Sequence, residues 1–237
     1  MPVLSPRERL VVALDVPAPE RARRLVDALA GAVGMFKVNA YLFTGAGPAF
    51  VRELVDGGER VFLDLKYHDI PSVVGSAVAR ACALGASLVT VHALGGRAML
   101  EEAARARAGT TTRVLAITVL TSHAQDALAE LGLPADLPGA VRRLAVLACE
   151  AGVDGVVASP HEIRIVRQAC GPEFLVVTPG IRPPGAAAGD QARVATPREA
   201  LAAGADYLVV GRPVTQAADP AEAAERLVAE MADAPGA

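Results

Sequence analysis

Eight short runs rich in apolar and β-branched residues recur along the chain: VVALDV from residue 11, MFKVN from 35, VFLDLK from 61, LVTVHA from 88, VLAITVL from 114, GVVAS from 155, FLVVTPG from 174 and YLVVGR from 207. They are almost continuously apolar instead of alternating, the pattern of parallel strands covered on both faces. Alanine-rich helical stretches lie between most of them. Strand and helix repeated eight times predict an α/β fold, a single (β/α)8 TIM barrel spanning residues 1–237. A chain of 237 residues can bury a full core, and barrels of this size form one domain.

The punctuation agrees. ALGASLV from 83, EAGVDGVV from 150 and AAGADYLVV from 202 each end a helical stretch at glycine, as a left-handed C-cap requires, and start a strand a few residues on. Ser159-Pro160-His161-Glu162, Thr196-Pro197-Arg198-Glu199 and Asp219-Pro220-Ala221-Glu222 place a capping residue first, proline at N1 and an acid at N3. These read as helix starts. The stretch RPPGAAAGDQAR, 182–193, is too rich in Pro, Gly and Ala for a stable helix or strand and reads as a loop.

Composition narrows the partners. The formal charge is −3, and no Lys/Arg cluster suggests nucleic acid or an anionic membrane surface, so a small molecule is expected. Cys82, Cys149 and Cys170 are widely spaced with no C-x-x-C pair, which fits a reducing compartment and neither a disulfide framework nor a zinc knuckle. The start MPVLSPRERLVVALDVP matches neither a signal peptide nor a membrane span, and a cytoplasmic protein is expected.

Lysine usage is more informative than net charge. The chain holds 21 arginines and two lysines, Lys37 and Lys66. Lysine differs from arginine in carrying a proton it can give away. Both lie at the C-terminal ends of predicted strands, where these barrels build their active sites. Roughly a tenth of such a chain lies at those ends, so chance puts both there on the order of once in a hundred. The same ends offer Asp15, Asp64, His92, Thr121, Ser159, Gly180 to Arg182, Gly211 and Arg212. Strand periodicity sets Asp64 and Lys66 on one side, with Asp69 three residues on in the loop.

Strand 8 ends in VVGRP, where such barrels commonly hold phosphate. Gly211 admits close approach, Arg212 supplies charge, and Arg182 and Gln191 can reach the same anion from the 182–193 loop. His68, His92, His123 and His161 have no metal-ligand spacing; His92 is expected to line or support the pocket.

On these residues the chain resembles the orotidine 5′-phosphate decarboxylase family. The resemblance extends in order through ALDVP, FKV, FLDLKYHDIP, TVHALGG, TVLTS, GVVASPHE, VTPGIRP, GDQARVATP and DYLVVGRPVT, nearly the whole chain. It implies a homodimeric barrel without cofactor or metal that converts orotidine 5′-phosphate to UMP in pyrimidine synthesis. Carried over, it makes Asp15 and Lys37 ribose ligands, with Lys37 also in the acid network. Asp64 would face the substrate carboxylate and Lys66 would donate the proton. Asp69, with Ile70 beside it, would reach the neighbouring subunit's site. Thr121 would contact the pyrimidine edge, and Arg182, Gln191, Gly211 and Arg212 would hold the phosphate. Two departures stand out. Val73 follows Ser72 where the family often has a threonine, and Asn39 replaces the usual glycine beside Lys37, altering that floor without touching a charge.

The chemistry explains the lysine. Loss of carbon dioxide from C6 of orotate leaves an in-plane electron pair orthogonal to the π system, so its stabilisation must be electrostatic. An ammonium can stabilise it and then protonate it, whereas a guanidinium can only stabilise it. Two rivals share parts of the pattern. Magnesium-dependent barrels of the hexulose-phosphate synthase type share D-x-K-x-x-D but carry an acid at the strand 2 position, where Lys37 would repel a metal. A phosphoribosyl-ligand sensor without catalysis would be free to lose Asp64 or Lys66, and both are present.

Overall fold

Each apolar run forms a strand: β1 (Leu10–Ala13), β2 (Met35–Asn39), β3 (Val61–Tyr67), β4 (Leu88–His92), β5 (Arg113–Ile117), β6 (Gly155–Val157), β7 (Leu175–Thr178) and β8 (Tyr207–Val210). In the computed structural model, which describes residues 4–123, 125–130, 132, 134–183 and 193–233, they pair in parallel in chain order, and β8 closes on β1 with Leu10 opposite Leu208. The helices are α1 (Pro6–Arg9), α2 (Pro19–Leu29), α3 (Ala40–Asp56), α4 (Pro71–Ala83), α5 (Gly96–Ala106), α6 (Gln125–Glu130), α7 (Leu137–Glu150), α8 (Ile163–Cys170), α9 (Pro197–Ala203), α10 (Arg212–Thr215) and α11 (Pro220–Ala232). This is the (β/α)8 barrel the sequence predicts. No helix among the described residues is long and apolar enough to cross a membrane.

The local signals act as expected. Thr196 Oγ1 accepts the Glu199 amide at 3.3 Å while the Glu199 carboxylate accepts that of Thr196 at 2.9 Å, and Asp219 caps the Glu222 amide at 3.0 Å. Each such cap contributes about 1 kcal/mol. The same Ser-Pro-x-Glu code at Ser5–Glu8 starts α1, a helix outside the expected strand–helix alternation. Gly85, Gly152 and Gly204 all have left-handed φ, as their places after α4, α7 and α9 require.

Alternate residues of each strand face opposite sides. One set, including Val12, Phe36, Leu63 and Val89, packs outward with the helices. The other, including Val11, Met35, Phe62, Leu88 and Leu115, fills the barrel interior. Two residues beyond Met35, Phe62 and Leu88 stand Lys37, Asp64 and Thr90. A dry apolar floor therefore lies directly beneath a layer of polar side chains.

Candidate active site

At the C-terminal mouth of the barrel lies a cavity of about 410 Å³, with Asp15, Lys37, Asp64, Lys66, Thr121, Arg182, Gly211 and Arg212 in its wall. Of the residues expected at the site, these eight are brought together. Gln191 lies outside the described residues. Asp69 and Ile70 are exposed and do not line the cavity of their own chain; the Asp69 carboxylate accepts the Ile70 amide at 2.6 Å.

Asp64 is the hub. Its Oδ2 lies 2.8 Å from Lys66 Nζ and 3.4 Å from Lys37 Nζ, and its Oδ1 accepts the Thr90 hydroxyl at 2.9 Å. Lys37 Nζ also reaches Asp15 Oδ1 at 3.2 Å. At 3.4 Å, Lys37 attracts Asp64 by about 5 kcal/mol at an effective dielectric of about 20. Burying one ion costs several kcal/mol, so a single ammonium roughly balances burial and the second decides the outcome. Burial pushes the Asp64 carboxyl up; Lys37, Lys66 and the hydrogen bonds from Lys66 and Thr90 outweigh it and hold the group below the usual carboxylate range.

The backbone at Lys66 is unusual. Among the described residues it is the one non-glycine with positive φ, at 52°. Strand pairing shows the setting: Leu63 lies opposite Val89 but Tyr67 lies opposite Val91, four steps along β3 against two along β4. The extra length forms a bulge that brings Lys66 back over Asp64.

One expectation is corrected and one is narrowed. Asn39 does touch a charge: its Nδ2 donates to Asp15 Oδ1 at 2.9 Å while its Oδ1 caps α3 through the Leu42 amide. A glycine could do neither. His92 does not line the cavity; its ring stacks on His68 with centroids 5.3 Å apart, and its Nδ1 accepts the Leu94 amide. Burial, with help from His68, Lys66 and His123, pushes His92 down to about 4.

The sequence reading missed Thr90, Gln216 and the pair of Arg193 with Glu162. Gln216 lines the cavity just beyond α10. Arg193 pairs with Glu162 at 2.5 Å and donates to the Leu120 carbonyl, next to Thr121 in the cavity wall. The signal for Thr90 was available, since it follows Leu88 by two residues as Asp64 follows Phe62.

The model of the orotidine 5′-phosphate decarboxylase / HUMPS family matches residues 8–227. The chain belongs to this family. A relative named orotidine 5′-phosphate decarboxylase from Moorella thermoacetica is 51% identical over 95% of this chain and 92% of its own. One of the same name from Syntrophotalea carbinolica is 49% identical over 98% of both. The crystal structure of orotidine 5′-phosphate decarboxylase from Lactobacillus acidophilus superposes with a TM-score of 0.84 at 36% identity, covering 94% of this chain and 98% of that one. The similarity to members of the orotidine 5′-phosphate decarboxylase / HUMPS family therefore extends along nearly the whole barrel.

Proposed function

We propose that this chain, acting as one barrel domain, decarboxylates orotidine 5′-phosphate to UMP in pyrimidine biosynthesis. The observation that carries the reading is an ammonium, Lys66, held 2.8 Å from a buried carboxylate, Asp64, in the wall of the cavity. Arg182, Gln191, Gly211 and Arg212 hold the phosphate, Thr121 meets the pyrimidine edge, and Asp15 with Lys37 binds the ribose. The substrate carboxylate then stands against Asp64.

The bond from C6 to the carboxylate breaks, carbon dioxide leaves, and the electron pair stays on C6. Lys66 stabilises that pair before it forms and then transfers a proton from Nζ to C6. Repulsion by Asp64 raises the ground state, but like charges about 4 Å apart are worth about 4 kcal/mol at an effective dielectric of about 20, against the ~8–23 kcal/mol by which enzymes lower barriers. Most of the acceleration therefore comes from the fixed ammonium and from binding of the remote phosphate.

The reading uses no cofactor or metal. Lys37 Nζ, 3.2 Å from Asp15 and 3.4 Å from Asp64, puts a cation at the strand 2 position where a magnesium-dependent aldolase would carry an acid for its ion. A homodimer completes the site, with Asp69 and Ile70 supplied by the second copy. Supporting it, Ile70 and Val73 are 63% and 47% exposed, large for apolar side chains, and Tyr41 and Leu94 are exposed at the same rim. The three free thiols suit the cytoplasm.

The test is to add orotidine 5′-phosphate to chelator-treated protein and follow its ultraviolet absorbance. Absorbance is expected to fall at the same rate with and without chelator. No fall, or one restored only by magnesium, overturns the proposal.

A further inference from the structure

Among the described residues, Thr90 does something no other buried threonine is seen to do. Thr112 donates to the Ala86 carbonyl and Thr118 to that of Val157, the usual way such a hydroxyl is satisfied. Thr90, with no exposed surface, bridges two groups of the active site: it accepts the Lys66 amide at 2.9 Å and donates to Asp64 Oδ1 at 2.9 Å. It lies in β4 between Val89 and Val91, opposite the four-residue step of β3 where the ladder is interrupted. In a regular parallel ladder the Lys66 amide would find a strand carbonyl. Here its bond goes to a side chain.

We infer that Thr90 is a positioning residue for the reaction: one hydroxyl holds Lys66 in its left-handed backbone conformation and fixes the plane of the Asp64 carboxylate, so that ammonium and carboxylate meet in a single geometry. The inference rests on the decarboxylase reading for its kinetic consequence but not for its structural one. Left-handed backbone at a residue with a Cβ persists only where its surroundings impose it. The Thr90 hydroxyl is a hydrogen-bond partner of the Lys66 amide, and it also reaches the carboxylate that pairs with the Lys66 side chain. Backbone and side chain of Lys66 are thus set by one oxygen, directly and through Asp64.

Thr90→Val keeps the shape and removes both bonds; Thr90→Ser keeps the hydroxyl and removes a methyl group. Misplacement of a reacting group by about 1 Å costs roughly a hundredfold in rate, so kcat of Thr90→Val is expected to fall about 10- to 100-fold, with Kd for UMP changed less than about threefold. Thr90→Ser is expected to return kcat to within about threefold of the parent. The acid limb of the kcat profile should move to higher pH in the valine variant alone, because a hydrogen bond to the charged carboxylate is lost. If valine does not accumulate as folded protein, Thr90→Ala removes the same bonds. A valine or alanine variant with parental kcat and acid limb overturns the inference, as does a serine variant no better than valine. If the parent itself does not turn over orotidine 5′-phosphate, the decarboxylase reading has failed. Thr90 is then judged from a crystal structure of Thr90→Val, where Lys66 is expected to leave positive φ; retention of that φ with the Asp64–Lys66 pair intact refutes the role.

Discussion

Arg193→Met isolates a buried ion pair that supports the cavity wall. The Glu162 side chain is 4% exposed and that of Arg193 11%, so neither charge has water to fall back on. With Arg193 gone, the Glu162 carboxylate keeps the hydrogen bond from the Ser159 amide at 3.1 Å, and the Leu120 carbonyl loses a donor that stood 3.2 Å away. Stripping one member from such a pair costs about 3–5 kcal/mol, and the lost hydrogen bond adds about 1. A total of about 4–6 kcal/mol corresponds to a Tm lower by roughly 8–24 °C for a chain of this size. Thermal unfolding followed by circular dichroism measures it directly. Adding Glu162→Gln removes the orphaned charge and is expected to recover the stability to within about 2 kcal/mol of the parent. A single variant within about 1 kcal/mol of the parent, or a double variant no better than the single, refutes the reasoning.

Three further outcomes are expected. Lys66→Arg keeps UMP binding within about threefold but loses at least about a thousandfold in kcat, because guanidinium does not release its proton; near-parental turnover removes the proton-donor role. Arg212→Ala weakens UMP far more than uridine in calorimetric titrations, and equal losses place the phosphate elsewhere. His92 titrates near 4 in the folded chain and near 6.5 unfolded, so between those values the unfolded chain binds a proton that the folded one does not. Its contribution is complete above about pH 6.5 and declines toward pH 4. Urea midpoints should therefore fall over that range in the parent and fall less in His92→Gln, and parallel curves would show that other groups dominate.

The barrel was legible because strands buried on both faces leave uninterrupted apolar runs, and because Gly and Ser/Thr/Asp-Pro punctuation marks several of the junctions. Lys37 and Asp64 were legible because two-residue periodicity aims them along the same axis as the floor beneath, and Lys66 because lysine is scarce in a chain rich in arginine. Other features depend on distance in sequence. The bulge at 64–67 is a property of β3 measured against β4, and neither strand alone announces it. Arg193 and Glu162 are 31 residues apart, and Glu162 already had a sufficient explanation as the acid of a helix start. Asn39 read as a neutral replacement for glycine because its reach to Asp15 spans two strands.

The arrangement of the two lysines makes the molecule unusual as a substrate for chemists. Reagents that seek primary amines find, besides the α-amino terminus, only Lys37 and Lys66, whose side chains are 11% and 39% exposed. A small acylating or alkylating tag should attach at position 66 first, and its emission or resonance would then report occupancy of the barrel mouth without an engineered cysteine.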